Sequence, residues 1–264
     1  MPTNKKTKIV ATLGPACSTK EVIKDMIDAG VNVFRINFSH ADYTDVKQRI
    51  DTIRELNEEF GYTTSILADL QGPKLRVGVM KEDIMVNKGD IITFTTAEDI
   101  LGTASRVYMN YKEFPKDVNP GERILLDDGK LIFEVIKTDK KTEVEAKVIQ
   151  GGPLKSKKGV NLPNTKVSLP ALTEKDIKDA LFAIESKVDW IALSFVRTSK
   201  DLEDLQDLIN KHSDHKIPII AKIEKPEAVE NIDKIVAFCD GLMVARGDLG
   251  VEIPAEQVPL IQKK

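Results

Sequence analysis

Residues 218–250 read PIIAKIEKPEAVENIDKIVAFCDGLMVARGDLG, a strand, a helix and a second strand. Pro218 to Ile223 is short, apolar and β-branched, as expected of a strand covered on both faces. Pro226 follows at a position where its missing N–H costs a helix nothing. Val229, Ile232 and Val236 then recur at helical spacing and predict one apolar face. Gly241 to Ala245 is the second apolar run. Both runs end in charge: Lys222, Glu224 and Lys225 after the first, Arg246 and Asp248 after the second.

Successive parallel strands place their carboxyl ends on one side of a sheet. Residues two apart on a strand share a face. Lys222 and Glu224 are therefore expected to point together, with Asp248 approaching Glu224 from the neighbouring strand. Two carboxylates beside an ammonium suit a hydrated Mg²⁺ that carries a phosphate on its open positions. The competing reading is a solvated rim of ordinary ion pairs.

The same unit recurs towards the N-terminus. Lys8 to Leu13 predicts a strand, Ser18 with Glu21 a capping box, and Ile23, Met26 and Ile27 a helix that stops at Gly30. Val31 to Phe38 predicts the next strand, with Arg35, Asn37 and Ser39 alternating on one face. An arginine there suits phosphate, because its fork matches two oxygens; its alternative is an ion pair with a neighbouring carboxylate. His40 falls at the loop edge. Val46, Ile50, Ile53, Leu56 and Phe60 form an amphipathic helix closed by Gly61. Thr64 to Leu67 is a third strand, after which Asp69 adds another carboxylate.

Beyond Arg76 helical periodicity disappears until Thr173. Short β-type runs replace it at Ile91–Thr95, Arg123–Leu126, Leu131–Ile136 and Val144–Ile149, with Asp127-Asp128-Gly129-Lys130 as a hairpin signal. Three segments follow: 1–74 as the first part of a barrel, 75–166 as an inserted small β domain placed to act as a lid, and 167–264 as the second, incomplete part of the barrel. Ser156-Lys157-Lys158-Gly159 is a basic turn that either reaches phosphates or is merely solvated. Thr173 and Asp176 begin a helix with Ile177, Leu181 and Ile184 on one face. Asp189 to Val196 is a fourth strand, with Ser194 and Arg197 near its end. Thr198 with Asp201 opens the following helix.

Six strand–helix units in series, each strand ending in polar residues, point to a (β/α)₈ TIM barrel, here stopping after about six strands. The chain is therefore expected to be a piece of a longer protein. An open doubly wound sheet is the alternative, but no glycine-rich dinucleotide loop follows the first strand. The net charge of −3 over 264 residues gives no basic face for nucleic acid. Cys17 and Cys239 lack metal-ligand spacing and read as packing residues in a reducing compartment. Neither a signal-peptide core nor an apolar run long enough for a bilayer is present. The expectation is a soluble, cytoplasmic protein.

The segments KIVATLGPAC, NVFRINFSH, LADLQGPKLR, KSKKGVNLP, SLPALTEKD, SFVR, PIIAKIEKPEAVENID and DGLMVARGDLGVEIPAE, in this order, resemble the pyruvate kinase family over essentially the whole chain. The resemblance implies a (β/α)₈ barrel with a small all-β barrel lid inserted after strand three, and phosphoryl transfer from phosphoenolpyruvate to ADP giving pyruvate and ATP. It implies that Glu224 and Asp248 hold Mg²⁺ (or Mn²⁺) and that Lys222 meets the transferring phosphoryl. Arg35 would bind the phosphate, and the amides of Gly247 and Asp248 the substrate carboxylate. Asn37, His40, Arg76 and Lys158 match nucleotide-side positions. Asn37, Ser39, Asp69 and Leu70 match the K⁺ positions that most members use. Here Leu70, Gln71 and Lys74 stand where the family usually has threonine, lysine and glutamate. The pattern resembles members that work without K⁺, with the Lys74 ammonium supplying the charge. Full-length members are usually homotetramers, and the family continues past this C-terminus. Two other readings stay open: an inactive truncated chain that only binds phosphate ligands, and a metal-dependent pyruvate aldolase or lyase.

Overall fold

A computed structural model describes residues 6–264. Strand β1 (Val10–Thr12), helix α1 (Lys20–Asp28), β2 (Val33–Asn37), α2 (Tyr43–Phe60) and β3 (Ser65–Asp69) come first. The cap of α1 is Thr19, whose hydroxyl accepts from Val22 N, and not Ser18. Ser18 instead donates its hydroxyl to Pro15 O, beside a short 3₁₀ turn that no sequence pattern marked. Strand β2 also ends earlier than expected. Phe38–His40 form a 3₁₀ turn, so Ser39 leaves the strand face that Arg35 and Asn37 share.

The insertion contains β4 (Ile84–Val86), β5 (Ile91–Thr95), β6 (Arg106–Tyr108), one short helix α3 (Phe114–Asp117), β7 (Arg123–Leu126), β8 (Leu131–Thr138), β9 (Glu143–Gln150), β10 (Gly152–Leu154) and β11 (Val160–Asn161). The β7–β8 hairpin turns where the sequence placed it. Asp127, Asp128 and Gly129 all adopt positive φ, of 50°, 57° and 83°, which aspartate and glycine tolerate best.

The chain then runs through α4 (Glu174–Glu185), β12 (Trp190–Leu193), α5 (Ser199–His212), β13 (Ile219–Ile223), α6 (Pro226–Glu230), α7 (Ile232–Phe238), β14 (Gly241–Val244), α8 (Arg246–Glu252) and α9 (Val258–Lys263). Capping boxes open α4 at Thr173/Asp176 and α5 at Thr198/Asp201, as their sequences require. The helix expected after Pro226 is two helices. Asn231 separates them, its side-chain amide donating to Glu227 O at 2.9 Å and Arg197 O at 3.2 Å. Such side-chain bonds compete with the helical ladder. The buried residues of this pair are Ala228 and Ile235, while Val236 is exposed. Helix α4 departs further: Asp176, Asp179, Ala180, Ala183 and Ile184 are buried, and Ile177 faces solvent.

Two compact units result. One comprises residues up to Gly72 with Ala171–Ile223 and Glu227–Met243; the other comprises Pro73–Pro170, Glu224–Pro226 and Val244–Lys264. The first carries a six-stranded sheet in the order β1-β2-β3-β12-β13-β14. Its pairings from β1 through β13 are parallel. Each strand lies beside its predecessor in the sheet, with no reversal of order, which is barrel winding and not the doubly wound alternative. The second unit carries a six-stranded sheet, β11-β7-β8-β9-β5-β6, antiparallel except for β5 with β6, and a two-stranded β10-β4 ribbon. Its core includes Phe94, packed edge-on against Phe133 at 5.4 Å and Phe114 at 6.1 Å between ring centroids.

Candidate active site

Register brings the polar strand ends of the first unit together. Arg35 pairs with Thr12 on β1 and with Leu67 on β3. Asp69 lies two residues beyond Leu67, on the same face. Ala192 pairs with both Asp69 and Ile220. Ser194 lies two residues beyond Ala192, and Lys222 two beyond Ile220. Four consecutive strands thus deliver Arg35, Asp69, Ser194 and Lys222 to one face near their carboxyl ends.

The side chains meet there. Arg35 Nε donates to Asp69 Oδ2 at 2.6 Å, its Nη2 closes the ion pair, and Nη1 donates to Thr12 Oγ1 at 2.9 Å. Lys222 Nζ lies 3.3 Å from Asp69 Oδ2 and 3.1 Å from Oδ1. It also donates to Ser194 Oγ at 2.7 Å. The Ser194 hydroxyl donates in turn to Leu70 O at 2.7 Å. Asp69 is 1 % exposed, and its Oδ1 takes no directed hydrogen bond despite the nearby ammonium. Arg35 makes the ion pair that was its alternative reading. Two cations thus share the Asp69 carboxylate. Asn37 Oδ1 accepts from Ser39 N at 3.0 Å. The His40 backbone closes that turn; its side chain lies outside the described residues.

In the second unit Glu224 is 2 % exposed, whereas Asp248 is exposed in the first turn of α8. Gly247 and Asp248 occupy positions where helix amides lack an intrahelical acceptor. A buried carboxylate and an exposed one, both hard oxygen donors, fit a Mg²⁺ that takes few ligands from protein. Among the described residues no group of three His, Cys, Asp or Glu side chains is arranged to hold a metal.

The basic positions of this unit are partly engaged. Arg76 Nη1 donates to Lys157 O at 3.1 Å, and Lys158 Nζ lies 2.9 Å from Asp127 Oδ1. Lys158, followed by Lys130, holds the Asp127 carboxyl below its ordinary range. Lys74 is partly exposed, its amine 3.9 Å from where a β-carbon on Gly159 would stand.

Two acidic anchors escaped the sequence reading. Glu252 Oε1 accepts from Lys225 at 2.6 Å and from Asn161 at 2.7 Å. Asp176 Oδ1 accepts from Gly72 N at 2.9 Å. The capping pattern revealed Asp176 only as a helix start. Glu252 falls four residues after Asp248 on α8, a same-face spacing that was its one signal. Cys239 is partly buried, and that burial pushes its thiol up. Among the described residues no helix is long and apolar enough to cross a membrane.

The family model described as "Pyruvate kinase, barrel domain" matches residues 4–264. The chain is 43 % identical to a pyruvate kinase of Clostridium perfringens, over 98 % of this chain and 54 % of that protein. It is 47 % identical to one of Geobacillus stearothermophilus, over 98 % of this chain and 44 % of that protein. Against pyruvate kinase 2 of Synechocystis sp. the identity is 45 %, over 100 % of this chain and 45 % of the relative. The chain thus spans about half the length of the curated relatives it matches.

Proposed function

The chain belongs to the pyruvate kinase family, and from that premise we propose that it carries the phosphoenolpyruvate side of a site for phosphoryl transfer to ADP. The observation that supports this most directly is the cluster of Arg35, Asp69, Ser194 and Lys222 at the ends of four parallel strands. Phosphoryl transfer asks a protein mainly for positioning and charge.

Arg35 binds the phosphate, held in place by Asp69 and Thr12. Lys222 faces the transferring phosphoryl and the developing enolate oxygen, where an ammonium stabilises charge as it grows. The P–O bond to the enol oxygen breaks, a new one forms to the terminal phosphate oxygen of ADP, and the enolate takes up a proton to give pyruvate. The amides of Gly247 and Asp248 receive the substrate carboxylate. Asn37, His40, Arg76 and Lys158 serve the nucleotide. Glu224 and Asp248 would hold Mg²⁺, which when bound adds positive charge beside the substrate oxygens.

K⁺ independence is part of this proposal, and the same residues support it. Of the oxygens at the family's monovalent-cation positions, Asn37 Oδ1 is engaged by Ser39 N and Leu70 O by Ser194. Asp69 Oδ2 is engaged by Arg35 and Lys222. Lys74 supplies the remaining charge.

The test is ADP-dependent pyruvate formation from phosphoenolpyruvate by the chain, with Mg²⁺ and either Na⁺ or K⁺ as the only monovalent cation. Equal turnover in both salts is expected, and Lys222→Met is expected to abolish it. No turnover in either salt would overturn the assignment for this chain. Strong activation by K⁺ over Na⁺ would overturn the role of Lys74. Near-normal turnover of Lys222→Met would overturn the role of Lys222.

A further inference from the structure

We propose that Ser194 is a positioning residue that fixes the Lys222 ammonium, and that Asp176 holds the backbone against which Ser194 is set. The inference rests on the reading of Lys222 as the group that meets the phosphoryl.

A serine hydroxyl has one proton to give and two lone pairs. The proton of Ser194 is committed to Leu70 O at 2.7 Å, which turns a lone pair towards Lys222 Nζ, also at 2.7 Å. That contact is shorter than either distance from Nζ to Asp69, 3.1 Å and 3.3 Å. A lysine stem has many rotamers. Ser194 gives the ammonium a short, directed acceptor besides Asp69, which limits where its charge can sit. Ser194 is itself 2 % exposed. It therefore acts through Lys222 and not on substrate.

The hydroxyl is in turn held by a built frame. Leu70 N donates to Ala192 O at 3.0 Å, so the strand that leads to Ser194 also anchors the residue that receives its proton. Two residues on, Gly72 N donates to Asp176 Oδ1 at 2.9 Å. Asp176 is 0 % exposed, and its Oδ2 accepts from Thr173 N at 3.0 Å and from the Thr173 hydroxyl. Gly72 has φ 71°, and a β-carbon there would stand 2.7 Å from Phe195 Cδ2 and 3.1 Å from Ser194 Cβ. The loop after β3 is thus pressed against Ser194. An acidic side chain buried without any place in the chemistry finds its use here: Asp176 pins Gly72, the loop fixes Leu70 O, and Leu70 O orients Ser194.

The experiment compares the full chain with its Ser194→Ala and Asp176→Ala variants. Lys222 is observed through the ¹H–¹⁵N signal of its side-chain ammonium, assigned by the signal's loss in Lys222→Met. In the unmutated chain a slowly exchanging ammonium is expected. Ser194→Ala should speed its proton exchange at least about tenfold, because a hydrogen bond to a charged group is lost. A purely structural role would lower the melting temperature and leave the exchange in the folded fraction unchanged. In the turnover assay, kcat should fall about 10²-fold as the ammonium loses its place, with KM for phosphoenolpyruvate moving less than about threefold.

Exchange in Ser194→Ala equal to that of the unmutated chain overturns the inference, whatever the turnover. Accelerated exchange in a chain without turnover upholds the positioning and removes the functional reading instead. If Ser194→Ala does not fold, Asp176→Ala carries the test. The same acceleration is expected there, and its absence overturns the proposal.

Discussion

Asp69 and Tyr111 illustrate how much single polar residues carry in this chain. Asp69 is a buried carboxylate that two cations share, and a charge in that position is tolerable only because both partners stay in place. Tyr111 plays a comparable part in the second unit. Its ring is 2 % exposed, and its hydroxyl meets Asp117, Ser168 Oγ at 2.9 Å and Ser168 N at 3.0 Å. Burial, followed by the Asp117 carboxylate, pushes the phenol up to about 12. The unfolded phenol titrates near about 10. Below that pH it is neutral in both states and its contribution to stability is complete. As pH rises from about 10 through about 12 the unfolded chain ionises first, and up to about 2 kcal/mol is lost. Chemical denaturation at a series of pH values should therefore give a plateau that falls above about pH 10. Tyr111→Phe should make the fall shallower without removing it, since Tyr43 is likewise raised to about 12 by burial and by Asp179.

At the scale of elements, the loop after β3 is tightly constrained. Gly72→Ala would place a methyl group in the left-handed region and 2.7 Å from the Phe195 ring. A loss of about 1–3 kcal/mol in unfolding free energy is expected, read as a lower denaturant midpoint. Elements also mark where sequence was and was not sufficient. Strand ends were legible because charge at the end of an apolar run marks where a covered strand comes out to the rim of its sheet, so Arg35, Asp69 and Lys222 were each marked as rim residues, while their meeting depends on strand register. Helix faces were less legible. Apolar periodicity equates burial with hydrophobicity, and α4 breaks that equation. Asp179 is buried because Tyr43 OH at 2.7 Å and Lys175 Nζ at 2.6 Å satisfy it. Asp176 is buried because Gly72 N does. Those partners lie more than 100 residues away in two of the three cases, beyond the reach of any local pattern. The split between α6 and α7 has the same origin, since one of the two acceptors of Asn231 lies 34 residues upstream.

For the molecule as a whole, the β insertion owns its core. The buried cluster that runs from Leu75 to Leu162, centred on Phe94, Phe114 and Phe133, draws every buried member from within the insertion. A domain with its own core should fold alone. A polypeptide of residues 73–170 is expected to unfold cooperatively and to give a dispersed amide spectrum; a spectrum of unfolded type would show that the remainder of the chain is needed.

The antiparallel bridge between Arg76 and Gly159 joins the two ends of that insertion. Ser194 and Leu70, which bond across the flanking strands, are 124 residues apart in sequence. Contacts of such separation slow folding, because chain entropy is lost before they form. An insertion that folds early, with Arg76 and Gly159 already paired, shortens that loop to roughly a third and lowers its closure cost by about 1 kcal/mol. The insertion would then serve as a kinetic clasp, drawing β3 towards β12 before the parallel sheet is complete.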